Sequence, residues 1–326
     1  MSPTRKRKEI YMLNDRKVAV IGCGFVGASS AFALMQSGLF SEIALLDANR
    51  EKAEGEALDI SHGVPFVGQV QVYAAEYDEI MDAAIIVVTA GAAQKPGETR
   101  LDLINKNVKI FESIIPEIAK RNYEGILLIV ANPVDILTLA AIKQSGLPEN
   151  RVIGSGTVLD TARLKTKLGE HLSVDSRSVH AFIIGEHGDS EMVAWSSANI
   201  SGVPLHDFCE MRGHFDHERA MREIAEDVKN SAYEIIEKKK ATYYGIAMSV
   251  VRICRAIVMN EKSILPVSSM IHGEYGIRDI SLSMPAIVGA DGIETHIPLK
   301  LNEEEIGKLQ QSAAALREIA NSVNLL

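Results

Sequence analysis

The stretch KVAVIGCGFVGASSAFALM, Lys17 to Met35, decides the fold. An apolar run meets Gly22, Gly24 and Gly27 in the spacing G-x-G-x-x-G, and small or apolar residues at helical period complete it. A strand that turns on glycine into a helix opens a βαβ unit, and the first turn of that helix offers unbonded N–H groups and a partial positive charge. Gly22 permits the tight turn, Gly24 lets the backbone approach a pyrophosphate, and Gly27 lets helix and strand pack closely. The next strand, EIALLD, ends in Asp47, 20 positions past Gly27. A carboxylate there can accept hydrogen bonds from ribose hydroxyls, and its charge would repel a 2′-phosphate, so the spacing predicts a site for NAD rather than NADP. Cys23, inside the turn, reads as a passive small residue.

Outward from this unit, AAIIVVTA ends at Ala90 and GILLIVAN ends at Asn132. Runs apolar throughout, alternating with helical segments, are expected of parallel strands covered by helices on both faces. After about Gly154 the pattern changes. A helix is expected from Asp160, one strand over VHAFIIG ending at Gly185, and a long helix through HERAMREIAEDVKNSAYEIIEKK. Shorter strands are expected in SILPVSSMIHG and SMPAIVGADGI, then a final helix, NEEEIGKLQQSAAALREIANSV, whose acidic first turn suits its dipole. The fold class is α/β: a doubly wound parallel-sheet Rossmann domain followed by an α+β catalytic domain. The expected division is a basic tail at 1–12, a dinucleotide domain at 13–155 and a substrate domain at 156–326.

The chain has 326 residues, enough for both units, with 47% hydrophobic and 24% charged residues. Its net charge of -9 argues against a nucleic-acid platform, which needs a concentrated positive face. Cys23, Cys209 and Cys254 are scattered, odd in number and without metal-ligand spacing, so neither a disulfide framework nor a metal site is expected and a reducing cytoplasm fits. The basic MSPTRKRKEIY is not followed by an apolar stretch long enough for a signal peptide or membrane span, and reads as a solvated tail; translation could start at Met1 or Met12.

Two segments carry chemistry. IIGEHGDSE sets His187 between glycines at the end of an apolar strand, and VLDTARL sets Asp160 and Arg163 one helical turn apart on one face. A histidine titrates near neutrality and a carboxylate can orient it, although a structural histidine and a surface ion pair would read the same way. The loop TAGAAQKPGETR, Thr89 to Arg100, carries Gln94 and Arg100, which could reach a ligand if the loop folds down.

These motifs, together with VANPVD around Asn132, GSGTVLDTAR, GEHGDSE and ATYYGIAM around Thr242, resemble the lactate/malate dehydrogenase family, on its L-lactate side, from about Lys17 to the C-terminus. The resemblance implies an NAD-dependent enzyme interconverting pyruvate and L-lactate. In it His187 transfers the proton, Asp160 is its partner, Arg163 clamps the substrate carboxylate and Arg100 closes over the site. It further implies that Asn132 bonds the substrate oxygen, Thr242 and Ile246 line the pocket, and Gln94 touches the far end of the substrate. Positions resembling cofactor contacts, besides the glycines and Asp47, are Val26, Lys52, Gly91, Ala92, Ser113, Val130, Asn132 and Ser155. It also implies a homotetramer. Lys165 and His180 match positions that bind fructose bisphosphate at a subunit interface in many bacterial members, and a helix-surface lysine and strand histidine would look the same. Two other readings stand: a malate or branched 2-hydroxy acid dehydrogenase, and an NAD-binding protein without catalysis.

Overall fold

The computed structural model describes residues 12–92 and 99–326, the side chain of Arg100 excepted. Gln94 and the basic tail up to residue 11 lie outside the described residues.

The first half alternates as its apolar runs require: β1 (Asn14–Ile21), α1 (Phe25–Ser37), β2 (Glu42–Leu46), α2 (Arg50–His62), β3 (Gln71–Ala74), β4 (Ala83–Val88), α3 (Arg100–Ala119), β5 (Ile126–Ile129), α4 (Val134–Ser145) and β6 (Val152–Gly154). Neighbouring strands in the order β6-β5-β4-β1-β2-β3 pair in parallel. Successive residues of β1 enter opposite cores: Ala19 and Ile21 pack with Ile86, Val88 and Leu127, whereas Val18 and Val20 pack with Ile43, Ile85 and Leu128. Both faces of the sheet are therefore covered, and alternation of polar and apolar residues is absent for that reason.

The second half contains α5 (Val158–Leu172), β7 (Val179–His180), β8 (Ile183–Ile184), β9 (Met192–Val193), β10 (Asn199–Ile200), β11 (Val203–Pro204), α6 (Leu205–Met211), α7 (His217–Lys239), α8 (Tyr244–Val258), β12 (Ser263–His272), β13 (Arg278–Gly289), β14 (Gly292–His296) and α9 (Glu303–Ser322). Two expectations are corrected. VHAFIIG is not one strand: β7 joins β10 and β11 in a three-stranded sheet, while β8 pairs with β9. At the start of β8 the Ile183 N–H is taken by the Thr161 hydroxyl at 2.9 Å, so this donor is satisfied by α5 rather than by pairing continued from β7. SILPVSSMIHG is β12 as expected, whereas SMPAIVGADGI is not one strand: β13 begins earlier, at Arg278, ends at Gly289, and is followed by β14 from Gly292. β12 and β13 are an extended antiparallel pair, and Ser268 of β12 meets Gly154 of β6, so nine strands run in the order β14-β13-β12-β6-β5-β4-β1-β2-β3. A Cβ on Gly154 would lie 2.7 Å from that of Ser268, which is why this join requires glycine.

Candidate active site

At the first strand end Gly22 has φ +99°, open to glycine, and a Cβ there would meet the backbone of Ala90 at 2.6 Å. A Cβ on Gly27 would stand 1.8 Å from the Gly22 carbonyl oxygen, so α1 can sit this close to β1 only with glycine. Gly24 differs. It caps α1 in an extended conformation with no side-chain acceptor for the helix N–H groups, and a Cβ on it would meet no protein atom within 4 Å. An uncapped helix N-terminus facing open space fits a pyrophosphate. Asp47, half-buried at the end of β2, accepts the Cys23 N–H at 2.6 Å through one carboxylate oxygen and the Asn49 N–H at 2.9 Å through the other. It thus braces the glycine turn and keeps lone pairs for a ribose.

The remaining positions that resemble cofactor contacts divide. Val26 and Val130 pack in one apolar cluster, which Ile246, expected to line the substrate pocket, joins instead of lining the cavity described below; Ser155 is buried at the end of β6, and Ala92 follows β4 and Gly91 with its N–H on the Asn107 side chain at 2.7 Å. Asn107 also donates to the Asn132 carbonyl at 2.7 Å, so it holds two strand-end segments together. Lys52 is exposed in the first turn of α2. Ser113 lies on the exposed side of α3 with its hydroxyl donated to the Ile110 carbonyl, and no described contact draws it toward the others.

The chemical end is built from side chains. Asp160 in the first turn of α5 is buried, and its two oxygens serve different partners: the His187 Nδ1–H donates to Oδ2 at 2.6 Å and Arg163 Nη1 donates to Oδ1 at 2.8 Å. The backbone fixes the histidine from several directions. Gly185, at φ +94°, exchanges both backbone hydrogen bonds with Ser283 of β13, the Glu186 N–H goes to the Ser312 hydroxyl at 2.8 Å, and the His187 N–H goes to Asp135 at 2.8 Å. Asp135, fully buried on α4, also accepts the Ser268 hydroxyl at 2.6 Å. Nothing in its sequence context singled out Asp135, because its partners His187 and Ser268 lie 52 and 133 positions away.

Burial works against a charged His187, but the Asp160 carboxylate and its hydrogen bond, with Asp135 and Glu191 behind them, push its pKa up to about 9. Burial likewise opposes ionisation of Asp160, and the facing His187 and Arg163 overcome it, so its pKa lies below the usual carboxylate value. Burial raises Asp135 to about 6, partly offset by the Ser268 and His187 donors. A cavity of about 310 Å³ is bounded by Asn132, Asp160, Arg163, His187 and Glu191 on one side and by Lys229, Tyr233 and Ile236 of α7 on the other. Thr242 is half-buried between α7 and α8 and is not among its lining residues. Its neighbour Tyr243 stacks on Phe25 of the glycine turn with ring centroids 5.3 Å apart, which ties that segment to the dinucleotide end. Lys165 is half-buried, and burial and nearby Arg252 lower its pKa; His180 is exposed on β7.

A glycine turn open to a pyrophosphate and a buried aspartate joined to His187 and Arg163 are the features of an NAD-dependent dehydrogenase. Residues 16–154 match the profile of the lactate/malate dehydrogenase NAD binding domain, and residues 157–325 match that family's alpha/beta C-terminal domain. An L-lactate dehydrogenase of Acetivibrio thermocellus is 52% identical over 310 residues, covering 95% of this chain and 98% of the relative. L-lactate dehydrogenase 1 of Clostridium acetobutylicum is 51% identical over 96% of this chain and 100% of its own. Among solved structures, the ligand-bound minor L-lactate dehydrogenase of Enterococcus mundtii has a TM-score of 0.91 at 45% identity, covering 94% of this chain and 98% of that one. A lactate dehydrogenase from a Medee basin deep-sea metagenome has 0.92 at 44% identity, covering 96% and 100%. The chain belongs to the lactate/malate dehydrogenase family.

Proposed function

We propose that the protein is an NAD-dependent L-lactate dehydrogenase that reduces pyruvate with NADH and works in reverse on L-lactate. The observation that carries this reading is the His187–Asp160–Arg163 array, a proton donor and a carboxylate clamp sharing one buried aspartate beside a single cavity. NADH, when bound, supplies the hydride. The turn at Gly22, Gly24 and Gly27 would hold its pyrophosphate and Asp47 its adenosine ribose. Arg163 then takes the substrate carboxylate with a guanidinium that can form two parallel hydrogen bonds. His187, protonated near neutral pH, gives its proton to the carbonyl oxygen, and Asp160 holds the imidazole ring in orientation and stabilises the cation. In oxidation the neutral ring takes the proton back. Asn132 assists at the same oxygen, and Arg100, at the start of α3, closes the site and stabilises the charge that develops there.

Gln94 sets the substrate. A dicarboxylate would bury its second charge against a neutral amide, whereas the pyruvate methyl needs only space, a difference on the order of several kcal/mol. Steady-state rates with NADH should therefore favour pyruvate over oxaloacetate by roughly a thousandfold in kcat/KM, and Gln94→Arg should reverse the order. A parent enzyme that prefers oxaloacetate defeats this reading.

The division near residue 155, a cytoplasmic location and a homotetramer belong to the same proposal. Phe25 and Phe32 on α1 and Tyr244 and Met248 on α8 are exposed apolar side chains on helices that pack side by side, as a subunit contact would need. Lys165, with Arg252 close by, offers positive charge to a sugar bisphosphate and His180 an exposed ring nitrogen, and pyruvate saturation curves measured with and without fructose bisphosphate test that role.

A further inference from the structure

We infer that Glu191 is a positioning residue for proton transfer: a second carboxyl facing His187 that sets the pH at which the histidine changes from proton donor to proton acceptor. The inference rests on the role proposed above for His187. A Glu191 carboxyl oxygen, an Asp160 carboxyl oxygen and a His187 ring nitrogen all lie within 4.8 Å of one another. Glu191 also lines the same cavity as Arg163. Together with Lys229 it forms part of the wall of a second cavity, of about 530 Å³, bordered by exposed Arg222, Glu304 and Lys308. Glu191 therefore stands between the substrate space and a route to solvent, and can exchange its proton from the side away from the substrate.

The groups facing His187 are Asp160 and Arg163 from α5, Asp135 from α4, Glu191 and Asp189 from its own segment, and Lys229 from α7. Most are committed. Asp160 is shared between His187 and Arg163, Asp135 accepts from Ser268, and Asp189 accepts the Tyr233 hydroxyl at 2.8 Å. Glu191 differs: its carboxyl has no hydrogen-bond partner among the described residues, so its charge state answers to its surroundings. Burial and the charge of Asp160 hold its proton up to about pH 8, against the pull of His187, Arg163 and Lys229. Once ionised, it adds a negative charge beside the imidazolium, which keeps its proton to higher pH. Reduction of a 2-oxo acid needs the protonated ring, so this charge extends reduction into the alkaline range; oxidation needs the neutral ring and is delayed by it.

The test is a pair of pH profiles of kcat/KM, for 2-oxo acid reduction and 2-hydroxy acid oxidation, on the parent enzyme, Glu191→Gln and Glu191→Asp. In Glu191→Gln the alkaline fall of reduction and the acid rise of oxidation should both move down by about half to one pH unit. Where the parent keeps half of its plateau in reduction, the variant should lie roughly two- to fivefold lower relative to its own plateau. Glu191→Asp, which retains a charge, should fall between the two. NMR titration of His187 in the complex with cofactor alone should show the same shift independently of turnover. Unmoved limbs and an unmoved histidine titration, whatever happens to the absolute rate, would overturn the inference. A parent enzyme that reduces no 2-oxo acid at any pH would instead overturn the dehydrogenase reading, and the NMR titration would still judge Glu191.

Discussion

The two ends of the cleft are built in opposite ways. At the dinucleotide end the determinants are missing atoms: Gly22, Gly24 and Gly27 matter for space and backbone conformation, and one side chain, Asp47, braces the turn. At the other end they are charged groups taken out of water: Asp135, Asp160 and His187, each held by partners from another part of the chain, and Arg163, one helical turn from Asp160. The first end is local and steric; the second is dispersed and electrostatic. They should therefore fail separately, and in different measurements.

The largest expected effect is at His187. His187→Ala should lower kcat for pyruvate reduction by about a thousandfold while NADH affinity, read by fluorescence titration, changes by less than about twofold. A parallel loss of NADH binding would break the separation of the two ends.

Asp160→Asn comes next, and its effect depends on pH. A histidine in the unfolded chain titrates near 6.5, whereas here it stays charged to about 9. Stability from the couple is therefore fully present below pH 6.5 and is lost as pH rises through about 9. The variant should lose that stability, so the difference in Tm from the parent should be widest near pH 6 and narrow toward pH 9.5. At pH 8 its kcat/KM for reduction should be roughly thirty- to a hundredfold lower, with the alkaline fall moved below neutrality. A variant whose pH profile matched the parent's would show that Asp160 does not hold the proton on His187.

The smallest effect sharpens the steric end. Gly27→Ala puts a carbon 1.8 Å from the Gly22 oxygen and should cost about 1–3 kcal/mol of stability. Gly24→Ala meets no protein atom within 4 Å and should leave Tm unchanged, yet weaken NADH about tenfold by occupying the space where the pyrophosphate approaches. Equal effects of the two variants on Tm would show that the turn is not divided into a packing glycine and a ligand glycine.

The same contrast explains what could be read in the sequence. The glycine turn, β1, β2, β4 and β5 were legible because their determinants are contiguous, and the expected helix from His217 to Lys239 is α7 to the residue because its apolar stripe repeats without interruption. The Asp160–Arg163 pair was legible from helical spacing, and the structure joins them at 2.8 Å. The split of VHAFIIG into β7 and β8 was not legible, since Thr161 of a distant helix takes the strand hydrogen bond. Nor was the entry of β12 and β13 into the first sheet, which rests on Ser268 meeting Gly154, 114 positions apart. Asp135, Asn107 and Glu191 carry no signal in the sequence because each draws its importance from neighbours brought in by tertiary packing.

That join between β6 and β12 also orders events in the life of the chain. The groups that crowd Gly22 and Gly27 all lie at or before Ala90, although Tyr243, which stacks on Phe25, comes much later. The hydroxyl partner of Asp135 and the backbone mate of Gly185, by contrast, lie far downstream of them, at Ser268 and Ser283. Until the β12–β13 hairpin closes against β6, Asp135 lacks its hydroxyl donor and the His187 segment lacks its anchor on β13. The steric end thus draws its closest contacts from the first third of the chain, and the electrostatic end cannot be complete until β12 and β13 are in place.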